Sequence, residues 1–225
     1  MVGAIVALRY HEPEAMLVVD PEWRRQGIGR MLVAALQQEM SDTHEPEGLL
    51  IADLGSASAR PFIDALGVPL VEAEYQMEIT GSPSSPRPVI DGLVFRNATS
   101  DDREVLIQVH MAAFSADASM AAEHVERGLA ETRRHFVLAE VDGVPVGMVR
   151  RGEWDGNGDV TSLGVVPAMR GRGIGKALLI DATAWLVEQG FATVMLEVAT
   201  DNPNALGLYT SVGYRVTAEF AYYRI

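Results

Sequence analysis

A chain of 225 residues with a formal charge of −13, no cysteine and no apolar run near the ~18 residues that cross a membrane has room for one large core or two modest ones; it excludes disulfides, thiolate metal sites, cysteine nucleophiles and a helical membrane span. The charge divides as −7 over residues 1–90 and −6 over 91–225, so neither half is a basic nucleic-acid module, and an acidic surface suits a cationic partner such as an amine. The start MVGAIVAL has no cationic lead and no small-residue cleavage site, so an untargeted cytoplasmic protein is expected.

Residues 2–9 read as a strand, and VVDPEWRRQGIGRMLV (18–33) leads into a helix in which Ile28, Met31, Leu32, Ala35 and Leu36 recur at helical spacing. At 71–79, Val71, Ala73, Tyr75, Met77 and Ile79 alternate with Glu72, Glu74, Gln76 and Glu78, the pattern of a strand with one wet face. TGSPSSPRPVIDG (80–92) then sets Pro83, Pro86 and Pro88 among serine and glycine, which sustains neither helix nor central strand. The boundary is placed there, giving a partial first domain at 1–80, a linker at 81–91 and a second domain at 92–225.

The second half predicts a strand at 93–97, helices at 102–114 and 119–131, and a strand at 135–140. An Asp142-Gly143 turn follows, with Pro145 limiting how far the hairpin pairs. Next come a strand at 146–151, a glycine-rich loop at 152–158 and a strand at 159–166. Helix 172–189 carries Ile174, Ala177, Leu178, Ala182, Trp185 and Leu186 at 3.6-residue spacing; a strand at 193–199, a helix at 203–212 and a closing strand at 214–224 complete a mixed α/β (α+β) succession.

The chain also repeats itself. At a constant offset of 146, VVDPEWRRQGIGRMLV lies over GVVPAMRGRGIGKALL (164–179), pairing Pro21 with Pro167, Arg24 with Arg170, and Gly27 and Gly29 with Gly173 and Gly175. FIDALGV (62–68) falls on LYTSVGY (208–214) at the same offset. A strand running through a glycine turn into a helix leaves backbone N–H groups unpaired at the positive end of the helix dipole, a geometry that holds phosphate. Arg170, Arg172 and Lys176 add charge, and Gly171, Gly173 and Gly175 let the backbone approach closely. A P-loop would need glycine at Arg170 and Ser or Thr at Ala177, and Rossmann spacing would need glycine at Lys176 or Leu178, so neither nucleotide motif fits.

LGVVPAMRGRGIGKALL resembles the acetyl-coenzyme A signature of the GNAT acetyltransferase superfamily, with FRNATSDD (95–102) similar to its opening and LEVATDNPNALGLYTSVGY (196–214) to its closing motif. The doubled arrangement resembles the tandem-domain members of the family, mycothiol synthases among them. The resemblance implies two GNAT-like mixed-sheet units, the first incomplete, with a V-shaped acetyl-coenzyme A cleft in the second, and direct acetyl transfer to a primary amine. It implies that Leu163, Gly164 and Val165 hold the pantetheine arm and that the amides of Arg170, Gly171, Arg172, Gly173, Ile174, Gly175 and Lys176 take the diphosphate. Asn202 would support the cofactor and Tyr209 would protonate the departing thiolate. For the base, Glu197 interrupts the apolar strand TVMLEVA where ribosomal-protein alanine acetyltransferases carry a glutamate, and Asp159 stands where mycothiol synthases carry an acid; both stay open, as does a route through bulk water.

In the first half, Leu17, Val18, Val19, Arg24, Arg25, Gln26, Gly27, Ile28 and Gly29 keep the corner, but the offset sets Ile63 opposite Tyr209, Ile51 opposite Glu197 and Ser56 opposite Asn202. That half is expected to be catalytically silent, binding coenzyme A weakly or only shaping a groove. It also lacks about fifty residues of the second half's pattern, leaving 2–9 as an edge to be covered by a second copy in a homodimer or by residues upstream of Met1. The acceptor is a small-molecule amine or a peptide amino terminus, and a non-catalytic acyl-coenzyme A sensor or scaffold is the alternative. The histidines at 11, 44, 110, 124 and 135 show no metal-ligand spacing, and Glu153, Trp154 and Asp155 are candidates for an amine pocket.

Overall fold

A computed structural model of the chain describes residues 2–9, 13–44 and 47–225. In chain order the elements are β1 (Gly3–Arg9), β2 (Pro13–Val19), α1 (Ile28–Asp42), β3 (Leu49–Asp53), α2 (Ala59–Leu66), β4 (Leu70–Thr80) and β5 (Leu93–Asn97). They continue as α3 (Arg103–Phe114), α4 (Ala118–Ala130), β6 (Arg134–Val141), β7 (Val144–Trp154), β8 (Asn157–Val165), α5 (Ile174–Glu188), β9 (Thr193–Ala199), α6 (Pro203–Val212) and β10 (Arg215–Arg224). The chain forms two compact units, one of Met1–Gln76, Ala199–Asp201 and Thr217–Ile225, the other of Met77–Val198 and Asn202–Val216.

In the first unit β2 pairs antiparallel with β1, from Gly3–Val19 to Arg9–Pro13, and in parallel with β3. β10 pairs antiparallel with β3 from Phe220–Asp53 to Arg224–Leu49, so most of the strand expected to close the second domain sits in the first unit. α1 buries Val33, Leu36 and Met40, spaced one turn apart, against Ala15 on β2 and Leu50 and Ala52 on β3. β1 stands at the end of the strand order, with Val6 and Leu8 exposed.

The second unit orders its strands β9-β8-β7-β6-β5, antiparallel from β5 to β8 and parallel between β8 and β9. Alternation along β7 assigns the faces. Met148 joins Leu106, Val109, Ala121, Val125, Phe136 and Leu138 in the core beneath α3 and α4, whereas a Cβ on Gly147 would meet Leu178 of α5 at 3.2 Å. Gly128 in α4 admits the Phe136 ring, since a Cβ there would lie 2.4 Å from Cε2. α5 buries Ile174, Ala177, Leu178, Leu179, Ile180, Ala182, Thr183 and Leu186, far more of its surface than α1 does.

Three expectations change. The loop at 152–158 closes to a two-residue turn at Asp155 (φ 48) and Gly156 (φ 78), because both residues take the left-handed conformation that lets right-twisted strands pair up to Trp154–Asn157. Pro145 does not stop its hairpin: pairing runs on to Val141–Val144, and a register shift between Ala139 and Glu140 absorbs the missing N–H. The segment around 80–92 is anchored along the second unit. Ser84 N donates to the Val212 carbonyl at 2.8 Å, Ser85 Oγ donates to the Ser211 carbonyl, and Arg87 pairs with Asp181 of α5 at 2.9 Å.

Candidate active site

α5 begins at Gly173, whose φ of 82 places it in the left-handed region and whose helix receives no side-chain cap. Gly171 shares that conformation with φ 76. No atom lies within 4 Å of a Cβ built on Gly171, one built on Gly173 meets Pro88 and Ile90 at 3.6 to 3.8 Å, and one built on Gly175 meets Leu208 and Val165 at 3.7 Å, so a close approach of backbone to a ligand is unhindered at Gly171 alone of the three. Arg170 acts differently from the expectation. Its guanidinium donates from Nε to the Val165 carbonyl at 3.0 Å and from Nη2 to the Ala113 carbonyl at 2.7 Å, bracing β8 against α3. Cationic charge at the corner therefore falls to Arg172 and Lys176.

Beside that corner β8 and β9 part. They pair at Gly158–Val194 and Asp159–Met195, and among the described residues no pairing joins their later halves, which contain Leu163, Gly164 and Val165 on one side and Glu197 on the other. β8 also bulges: Met148 faces Gly164 and Arg150 faces Thr161, leaving Val149 opposite both Ser162 and Leu163. Gly164 leaves no room for a side chain, a Cβ there lying 2.7 Å from Phe114 Cζ.

Tyr209 lies buried on α6, its ring 6.4 Å from that of Tyr214, and burial pushes its phenol up to about 12. It is therefore neutral and a proton donor at pH 7. Asn202 caps α6, its Oδ1 accepting from Ala205 N at 3.1 Å. Glu197 is exposed on β9 between buried Leu196 and Val198. Asp159 is buried and accepts from Arg134 Nη1 at 2.8 Å; burial raises its carboxyl above the usual range while Arg134 and Arg150 pull it back.

Comparison with known proteins agrees with this geometry. The model of the Acetyltransferase (GNAT) family matches residues 103–214, and that of the Acetyltransferase (GNAT) domain matches residues 1–67. A mycothiol acetyltransferase of Clavibacter michiganensis subsp. michiganensis is 30% identical over 240 residues, which cover 99% of this chain and 76% of that one. One from Streptomyces avermitilis is 31% identical over 220 residues, covering 90% and 68%. The chain belongs to the GNAT acetyltransferase family. Among solved structures, a GCN5-related N-acetyltransferase from Sphaerobacter thermophilus matches with a TM-score of 0.82 at 23% identity, covering 100% of this chain and 76% of that one. A tandem GNAT protein from the clavulanic acid biosynthesis pathway matches at 0.72 and 18%, covering 100% and 78%, so the tandem GNAT fold is shared. The protein is an N-acetyltransferase, and acetyl-coenzyme A is its acetyl donor. The uncapped α5 start and the room before Gly171 fit the diphosphate of that donor.

The first GNAT unit repeats the corner in detail. Arg24 Nε donates to the Val19 carbonyl at 3.0 Å, Arg25 takes φ 63, and α1 begins uncapped at Gly27 with φ 85. Gln26 donates to the Glu22 carbonyl, Ile28 packs beside Gly3, Leu17 joins the core around Val33, and Val18 is exposed. One difference lies in the packing: a Cβ on Gly29 would lie 2.8 Å from Phe62 Cε2, where the matching Cβ on Gly175 would lie 3.7 Å from Leu208, the residue that the repeat sets opposite Phe62.

The GNAT unit also holds a cavity of about 650 Å³ that sequence spacing did not reveal, lined by His110, Phe114, Asp117, Met120, His124 and Ser162 among others. His124 Nε2 lies 2.9 Å from Ser162 Oγ, and the His110 and His124 rings are 4.5 Å apart. Glu153, Trp154 and Asp155 do not line it: Glu153 accepts from Arg133 and from Gly156 N, Trp154 lies under Arg134, and Asp155 makes the hairpin turn. His135 stacks edge-on to Trp185, His44 is exposed, and His11 lies outside the described residues. Among the described residues no cluster suits a metal ion, and no helix is long and apolar enough to cross a membrane.

Proposed function

We propose that the second unit transfers acetyl directly from acetyl-coenzyme A to the primary amine of a small-molecule acceptor, and that the first unit takes no part in the chemistry. The observation that carries this reading is the uncapped start of α5 at a left-handed glycine beside the parting of β8 and β9. Amides at Gly171–Lys176 hold the diphosphate, and Leu163, Gly164 and Val165 align the arm that leads to the thioester. The cofactor supplies an activated acyl carbon. Tyr209, kept neutral by burial, gives its proton to the leaving sulfur. The amine also loses a proton, and the carboxylates of the two parting strands are Glu197, exposed on β9, and Asp159, buried on β8 against Arg134. Asn202 fixes the start of α6 and so the placement of Tyr209.

Silence of the first unit is supported by Ile63, buried where the second unit has Tyr209. The relatives named mycothiol acetyltransferases make a mycothiol-type amine the first acceptor to try. The test combines calorimetry of acetyl-coenzyme A binding with loss of thioester absorbance over cysteinyl glucosamine, spermidine, kanamycin and an alanyl peptide. One binding event per chain, abolished in a Gly173→Val variant and followed by acetylation of one amine class, is the expected result. Binding without transfer to any of them would favour a sensor and overturn the reading.

A further inference from the structure

We propose that Ser162 and His124 form the seat of the acceptor amine and the route by which its proton leaves. This deepens the function proposed above and rests on it, naming the proton acceptor that reading leaves open.

Ser162 stands on the β8 bulge, directly before the Leu163–Val165 segment, with φ 52. A serine held in the left-handed region costs roughly 1 kcal/mol that glycine would not, and such conformations gather at functional sites. The bulge and the conformation together turn its hydroxyl toward α4, where it meets His124 Nε2 at 2.9 Å on the wall of the cavity. Phe114 and Met120 supply apolar surface around it, and both are more than 40% exposed at 42% and 65%, so the cavity opens to solvent.

The His124 imidazole sits among titratable neighbours. The groups facing it are His110 from α3, Arg127 and its partner Glu123 from α4, and Arg150 from β7, itself bonded to Glu131; Asp117 is spent capping α4 at Met120 N. Burial first, then the positive surroundings, hold His124 down at about 4, so at pH 7 its ring is neutral. With Nε2 unprotonated, the Ser162 hydroxyl donates to it and leaves its oxygen lone pairs toward the cavity, where an amine N–H donates in turn. As the C–N bond forms and the C–S bond breaks, the amine's proton passes to Ser162 Oγ while the serine proton passes to His124 Nε2. Sulfur takes its proton from Tyr209. The imidazolium then releases its proton to water through the open cavity, and the phenolate recovers one from solvent, so the balance closes.

Ser162→Gly tests the hydroxyl without disturbing a backbone that glycine prefers, and His124→Gln keeps a polar group that cannot take a proton. With cysteinyl glucosamine as probe, each variant should lower kcat about 100-fold while its melting temperature stays at or above that of the parent for Ser162→Gly. In 15N spectra of the protein without cofactor at pH 7, the probe should shift the His124 Nε2 resonance in the parent and leave it unmoved in Ser162→Gly. Full kcat in His124→Gln, loss of kcat confined to Glu197→Gln, or an unmoved resonance in the parent would overturn the proposal while leaving acetyl transfer standing. A parent that neither binds acetyl-coenzyme A nor acetylates the probe would overturn both.

Discussion

Arg25 and Gly171 occupy one backbone position 146 residues apart, with φ of 63 and 76, each directly after an arginine whose Nε bonds a strand-end carbonyl at 3.0 Å. The first unit therefore tolerates a side chain in a conformation that glycine takes without cost. Removing that side chain relieves about 1 kcal/mol, and the looser unfolded chain returns part of it. Arg25→Gly should raise stability by about 0.5 kcal/mol, seen as a higher urea midpoint, and leave acetyl transfer unchanged. Gly171→Ala should lose about 1 kcal/mol and weaken acetyl-coenzyme A binding about tenfold. A lower midpoint for Arg25→Gly would contradict the strain argument.

Tyr209 predicts an alkaline limb. Its phenol titrates near 10 when unfolded and is pushed up to about 12 by burial, so the stability it contributes is whole below pH 10 and is lost as pH rises toward 12. Tyr214, raised by burial and bonded to Thr183 at 2.8 Å, acts in the same direction. Tyr209→Phe should flatten part of the alkaline denaturation curve and lower kcat by about 100-fold. Unchanged kcat with a good amine would remove it as the acid.

His124 predicts an acid limb of opposite sense. Its folded value of about 4 lies beneath the ordinary 6.5, so the unfolded chain takes up the proton first, and stability present above pH 6.5 declines as pH falls toward 4. His110 and His135, also lowered by burial, add to the decline. The difference in urea midpoint between parent and His124→Gln isolates the one ring, and it should shrink as pH falls from 7 to 5. A constant difference would mean that the ring is already protonated or solvated.

The corner at Gly171–Lys176 was legible because glycine spacing, a following helical period and an internal repeat all report on the backbone. The strands of the second half were legible for the same reason, their bounds falling within about two residues of those observed except where Pro145 and the Asp155-Gly156 turn misled. Proline was read as a stop because its missing N–H is visible in sequence, whereas the bulge that accommodates it is not. The Ser162–His124 contact spans 38 residues and depends on a bulge and on helix packing, neither of which has a period. Arg170 was legible as a cation at a phosphate corner, but the carbonyls that engage it lie on two separate elements.

Asp159 is held in a buried ion pair with Arg134. Arg134, exposed by only 16%, donates to it at 2.8 Å, donates to Glu131 on its other side and stacks on Trp154 with 4.8 Å to the ring centroid. Removing the charge of Asp159 alone leaves a half-satisfied guanidinium in a poor solvent, and breaking such a pair costs about 3 kcal/mol. Glu131 and the Trp154 face offset part of that, so Asp159→Asn should lose about 2 kcal/mol by urea denaturation. Arg134→Met placed on that background should recover most of the loss, because both charges are then gone and the methionine stem still covers Trp154. Turnover per folded molecule should stay within about threefold of the parent in both proteins. A fall of about 100-fold in kcat at unchanged stability would instead make Asp159 the proton acceptor.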